Sequence, residues 1–107
     1  MNSRRKGADG ERELANKLRE YGYDTHRGVQ YKGSPDSPDV VGIEGFHIEC
    51  KRVEQLNIEK AMQQSERDAG DNVPLVIHRK NREEWKVTMR LDDFIELIRG
   101  KDDTKRS

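Results

Sequence analysis

Apolar residues first recur at helical spacing over residues 8–21, where Leu14, Ala15, Leu18 and Tyr21 fall three or four positions apart. Asp9 is placed to cap that helix, Glu11 and Glu13 suit its first turn, and Gly22 supplies a left-handed stop. Residues 23–27 predict a short strand, and 28–38 carry Gly, Ser, Pro and Asp without period, as a loop does. Residues 39–43 and 46–51 predict the two strands of a hairpin around Glu44-Gly45. Asn57 is a natural cap for a helix running to Ala69, with Ile58, Ala61, Met62, Ser65 and Ala69 on its inner face and Gly70 at its end. The nearly unbroken apolar run at 73–78 predicts a strand buried on both faces, and 85–89 alternates like a strand with one wet face. Between them, 79–84 reads as a charged turn. Asp92 caps a last helix over 93–99, bearing Phe94, Ile95, Leu97 and Ile98.

The segment between Lys51 and Val73 is long enough for a crossover helix, so the strands on either side are expected to run parallel with a right-handed connection. The chain is therefore α/β, with a small mixed sheet flanked by helices. One domain is expected over 1–100, followed by a polar, frayed tail over 101–107.

Leu, Ile, Val and Phe make up just under a fifth of the 107 residues, while 39% are charged. The core must be thin, and a partner subunit would usefully hide more surface. Low apolar content signals disorder only with a large net charge, and here 21 basic residues cancel 21 acidic ones. The same balance argues against a surface that coats polyanions wholesale, but leaves room for local basic patches. No apolar run approaches the ~18 residues of a membrane span, and the polar start Met1-Asn2-Ser3-Arg4-Arg5-Lys6 lacks a secretory apolar stretch. The single Cys50 excludes an internal disulfide and a multi-cysteine zinc site; His26, His47 and His78 are too dispersed for a His-x-x-His ligand pair. A soluble, cytoplasmic protein is expected.

The chemistry centres on Asp39, Glu49 and Lys51, with Glu11 upstream. Residues two apart on a strand share a face, so Glu49 and Lys51 project together while Ile48 and Cys50 turn away. Cys50 then reads as core filler rather than as a nucleophile. Alone, a Glu-Lys pair of this kind is more often an ordinary surface ion pair. Asp39 changes the weighing, because it stands at the mouth of an otherwise apolar strand, where a carboxylate adds nothing to packing. If it faces Glu49, two carboxylates lie within ~5 Å across neighbouring strands. Such anions repel unless a divalent cation sits between them, and oxygen ligands suit magnesium. Register decides the matter. A two-residue turn at Glu44-Gly45 pairs Asp39 with Cys50 and sends the carboxylates to opposite faces, whereas an odd-length loop or bulge with Gly45 left-handed makes them face each other. The odd loop is the expectation. Glu11 shares the apolar stripe of the first helix, where it either snorkels to water or reaches the ion. Glu13, about 200° further round at 100° per residue, is expected to face solvent.

Arg5-Lys6-Gly7, Glu11-Arg12-Glu13-Leu14, Pro38-Asp39-Val40-Val41 and Ile48-Glu49-Cys50-Lys51 together resemble the PD-(D/E)XK nuclease superfamily. The opening resembles that of the archaeal-type Holliday junction resolvases and their phage relatives, and the likeness runs from about Arg5 to Ile98. The Asp…Glu-x-Lys core is short and common by chance; the opening and the element order supply the specificity. The resemblance implies a restriction-endonuclease-like αβββαβ core and magnesium-dependent hydrolysis of DNA phosphodiester bonds, with Mn2+ able to substitute. It implies that Asp39 and Glu49 hold the ions with the Cys50 backbone carbonyl, and that Glu11 completes the site directly or through water. Lys51 would orient or activate the attacking water. Gln64 matches a glutamine found on the following helix in related phage nucleases, with Gln63 beside it as an alternative. Asp36, in the repeated Ser-Pro-Asp, rivals Asp39, but only Asp39 leads directly into Val40-Val41.

An acidic pocket repels DNA unless cations compensate. Arg4, Arg5, Lys6, Arg27, Lys32 and Arg52 form a candidate phosphate-contact set, although 21 basic residues on a small surface must cluster somewhere. Arg79-Lys80-Asn81-Arg82 is offset by Glu83 and Glu84 and reads as a solvated turn; Tyr31 could stack on DNA or pack at a subunit boundary. Nothing resembles a base-reading helix, so recognition by backbone and shape is expected. Paired incision of a four-way junction calls for a two-fold homodimer. Trp85, Met89, Phe94 and Ile98 are interface candidates, though the monomer core suits each of them better. The same site would also serve a general or repair-type endonuclease acting on other DNA structures, and the same fold a catalytically idle DNA-binding module.

Overall fold

The computed structural model describes residues 3–28 and 37–106, with side chains over 7–28 and 37–100. Its elements are α1 (Ser3–Glu20), β1 (His26–Arg27), β2 (Val40–Val41), β3 (Phe46–Arg52), α2 (Ile58–Asp68), β4 (Val73–Arg79), β5 (Lys86–Thr88) and α3 (Leu91–Arg106). The strands form one sheet in the order β1-β2-β3-β4-β5. Only β3 and β4 run parallel, and α2 makes the crossover between them.

The pleat of β3 and β4 divides the molecule. Ile48 and Cys50 on β3, with Leu75 and Ile77 on β4, join Val40 and the α1 residues Leu14 and Ala15 in one buried cluster. The alternate residues His47, Glu49 and Val76 turn to the other side, where α2 packs on β3 and β4 and buries Ala61 and Ser65. Ser65 Oγ donates to the Leu75 carbonyl at 3.0 Å, so α2 is fixed to β4 by polar as well as apolar contact. Asn57 caps α2, its side-chain oxygen accepting from the Lys60 N–H at 3.1 Å. Among the described residues, no helix is long and apolar enough to cross a membrane.

Element boundaries differ from the sequence reading in places. The helix expected from Ala8 starts at Ser3, and Asp9 lies inside it, paired with Arg12 at 3.1 Å instead of capping. Arg4, Arg5, Lys6 and Ala8 are all good helix formers, so Gly7 alone does not stop the helix. Tyr21 follows the last turn and is exposed rather than on the inner stripe. The final helix begins before Asp92 and runs through Gly100 to Arg106, beyond the expected end at Arg99. One glycine inside a helix costs only about 1 kcal/mol, and Asp92 and Asp93 in the first turn complement the helix dipole. Trp85 and Met89 pack against the core, but Phe94 and Ile98 do not share that fate: with Leu91 and Leu97 they are exposed.

Candidate active site

The register of β2 against β3 places Val40 opposite Ile48, and the Asp39 N–H donates to the Ile48 carbonyl at 2.8 Å. That parity sets Asp39 opposite Glu49. The odd connection that this demands is made with Gly45 in the left-handed region, at φ 88°. Asp39 is anchored twice more: its carbonyl accepts from the Gly28 N–H at 2.8 Å, and its Oδ2 accepts from the Cys50 N–H at 2.8 Å. A residue at the mouth of a two-residue strand is thereby held as firmly as one in mid-sheet.

Asp39, Glu49, Lys51, Glu11 and Gln64 line one open cavity of about 300 Å³. Glu49 is 2% exposed, on the α2 face of β3. Burial, and then the charge and hydrogen bonding of Asp39, push its carboxyl up to about 8, against the opposing pull of Lys51. Glu11 is also raised, first by burial and then by Asp39, while Arg27 and Lys51 lower it. Burial is the larger cause of both shifts and the charge of Asp39 the next, so three acids are gathered where neither water nor positive charge fully compensates them. The donors are carboxylate oxygens, hard ligands of the kind that suit Mg2+ or Mn2+. The residues present therefore fit a divalent cation.

A difference between wild type and Glu49→Gln tests this electrostatic frustration. A carboxyl whose folded-state value is raised from 4.5 to about 8 stabilises the fold below the lower value and loses that contribution as pH rises through the upper one. In EDTA, Glu49→Gln is expected to melt above wild type, by at least about 5 °C at pH 8, and by progressively less toward pH 5. A pH-independent difference would contradict the assignment.

The remaining residues fall as follows. Gln64 is half-buried and turned to the cavity, whereas Gln63 is exposed. Cys50 lies in the core cluster, and burial pushes its thiol up to about 12, far from nucleophilic use. Arg27 does not project freely: its Nε donates to Glu11 Oε1 at 3.1 Å. Arg52 stands beside Glu13, Nε to Oε2 at 3.4 Å. Glu13, expected in solvent, accepts from Arg79 Nε at 2.6 Å as well, which holds its carboxyl below the usual range. The physical reason is register: Arg52 and Arg79 are paired at the ends of the parallel strands β3 and β4, and two adjacent guanidiniums draw an anion from the helix crossing above. Arg79 also lies over the Trp85 ring, 5.5 Å from its centroid, so it belongs to the structure rather than to a solvated turn. Lys32, Tyr31 and Asp36 lie outside the described residues, as do the side chains of Arg4, Arg5 and Lys6.

Two residues that the sequence reading did not assign to the site stand beside Glu49. His47 Nε2 is 2.7 Å from Glu49 Oε1, and Asp68 on α2 brings a carboxylate oxygen within 4.8 Å of ligand atoms of both. Among the described residues this is the tightest trio of potential ligands, rather than Glu11, Asp39 and Glu49. Period two along β3 carries the signal for His47, since it shares a face with Glu49.

Comparison with known proteins agrees with this architecture. No curated protein matches the chain. The structure is similar to that of Hjc from Archaeoglobus fulgidus, a Holliday junction resolvase from an archaeal hyperthermophile. The TM-score is 0.57 at 23% identity, over 76% of this chain and 74% of that one. That likeness establishes the fold, including the five-strand mixed sheet and its flanking helices. The family described as "phage putative PDDEXK endonuclease" matches residues 2–107. Nucleases of this kind generally use divalent metals, and side chains that could hold one gather around Glu49. On a match spanning almost its whole length, the chain belongs to that PDDEXK endonuclease family.

Proposed function

We propose that this nuclease is a magnesium-dependent DNA endonuclease that cuts four-way junctions. The observation that carries the reading is the register that sets Asp39 opposite Glu49, with Lys51 and Gln64 on the same cavity. Asp39 and Glu49 would hold the cation with the Cys50 backbone carbonyl, and Glu11 would complete the set directly or through water. When bound, the cation supplies an acidified water and relief of charge on the phosphate oxygens. Lys51, whose charge already acts on Glu49 and Glu11, orients the attacking water and stabilises the charge gathering on phosphorus-bound oxygen. Gln64 supplies a neutral donor at the cavity wall. Arg4, Arg5, Lys6 and Lys32 are proposed to meet the backbone phosphates; Arg27 and Arg52 can join them only by sharing their carboxylate partners.

Junction selectivity is supported by the Arg5-Lys6-Gly7…Glu11-Arg12-Glu13-Leu14 opening and by the activity named for the archaeal neighbour. Two symmetric incisions require two sites, which a two-fold homodimer provides. The exposed Leu91, Phe94, Leu97 and Ile98 of α3 give such a dimer an apolar surface to bury. A mobile four-way junction is expected to be cut at least about tenfold faster than linear duplex, nicked or flap DNA in Mg2+, a preference of about 1.4 kcal/mol. Equal rates on all four substrates would reduce the enzyme to a general endonuclease, and absence of cutting on any would leave a DNA-binding module.

A further inference from the structure

On the α2 side of β3, the His47 ring and the Glu49 carboxylate meet at 2.7 Å, and each side chain is only 3% exposed. Both the pleat and the helix produce this arrangement. Residues two apart on β3 share a face, and Gln64 and Asp68, one turn apart on α2, address the same strip of sheet. At 2.7 Å the two atoms stand at hydrogen-bond distance, closer than the about 3 Å that separates two ligands of one ion at bond lengths near 2.0–2.2 Å. A carboxyl group this deeply enclosed needs hydrogen-bond partners for its oxygens.

We infer that His47 is a positioning residue for Glu49: its ring N–H holds Oε1 against the inner wall and leaves Oε2 to act with Asp39. Asp68, within 4.8 Å, places a second carboxylate beside the same ring and favours the imidazole as a donor. The assignment rests on the reading that Asp39 and Glu49 hold a divalent cation. Partners that fix a ligating carboxylate commonly change metal affinity by about 10–100-fold when removed.

The test titrates Mn2+ into the DNA-free protein and follows the free-ion electron paramagnetic resonance signal. His47→Phe keeps a ring without a donor, His47→Asn keeps polarity without reach, and His47→Gln keeps a donor near the position of Nε2. The Mn2+ dissociation constant is expected to rise about 10–100-fold in the Phe and Asn variants and to stay near wild type in Gln. The Mg2+ concentration for half-maximal nicking should shift in parallel, with the rate at saturating Mg2+ largely retained. A purely structural role would lower melting temperature and maximal rate without that split. Unchanged Mn2+ affinity in Phe and Asn, or an equal loss in Gln, overturns the role of His47. Should His47→Phe fail to fold, the Asn-against-Gln comparison decides. Asp39→Asn separates the two levels: normal Mn2+ binding there defeats the underlying metal reading, whereas its loss beside normal His47 variants defeats only the inference about His47.

Discussion

Asp39→Asn, Glu49→Gln and Lys51→Ala are each expected to slow DNA nicking in Mg2+ by at least about 10³-fold, while binding of the same DNA stays close to wild type. The asymmetry follows from charge. Asp39 repels phosphate, so neutralising it removes a penalty on binding even as it removes a ligand from the cavity; Glu49, pushed up to about 8 by burial and by Asp39, gives up little charge to glutamine near neutrality. Lys51 acts on the opposite sign, but it lines the same cavity as Glu11, Asp39 and Glu49, and its charge is already engaged with Glu11 and Glu49 in the ground state. Its value to phosphate grows only as negative charge accumulates in the transition state. Rate and affinity are read separately, by single-turnover nicking of a labelled junction and by mobility shift in Ca2+. Near-normal turnover in any one variant would remove that residue from the reaction; in Asp39→Asn or Glu49→Gln it would remove the proposed site. Loss of DNA binding in step with rate would instead indicate misfolding, which the higher melting temperature expected for Glu49→Gln argues against.

The second large effect is on folding. Gly42, just after β2, has φ 122°, and a Cβ there would run into the Asp24 carbonyl and lie 2.7 Å from Thr25 Cα. Those atoms are backbone and cannot swing aside. Positive φ costs a non-glycine residue about 1–2 kcal/mol, and forcing atoms into a filled space adds typically 1–3 kcal/mol more. Gly42→Ala should therefore lose about 3 kcal/mol and melt about 12–24 °C below wild type. Gly45 supplies the internal control. Its φ is 88°, but a Cβ there meets nothing within 4 Å, so Gly45→Ala should lose only the conformational part, about 1–2 kcal/mol. Thermal unfolding by circular dichroism separates the two. Equal losses would show that the close approach of the residue 24–25 backbone is not what the Gly42 position requires.

What could be read from the sequence follows the range of the interactions involved. Local periodicity and turn chemistry located the helix capped by Asn57, the apolar strand that became β4 and its parallel pairing with β3. The parity argument at Gly45 reached further, because register is a counting rule: an odd connection faces 39 with 49, as observed. What stayed hidden depends on neighbours distant in sequence. Glu13 looked solvent-facing because the wheel of α1 contains no information about Arg52 and Arg79, which converge only when β3 and β4 pair. Arg27 looked like a free phosphate contact until β1 brought it to Glu11, 16 residues earlier. His47 was legible in principle from the strand period, but its neighbour Asp68 arrives through the packing of α2, which no spacing rule on β3 announces. Helix ends erred for a different reason. Competing caps and a lone glycine differ by about 1 kcal/mol, less than the surrounding chain contributes.

The most direct test of the cation pocket is anomalous diffraction from a crystal grown with Mn2+. The expected result is a peak bounded by the carboxylates of Asp39 and Glu49 and the Cys50 carbonyl, with Lys51 alongside and His47 still hydrogen-bonded to Glu49. A peak bound by His47 and Asp68 with Asp39 uninvolved, or no peak near Glu49 at saturating Mn2+, would contradict it.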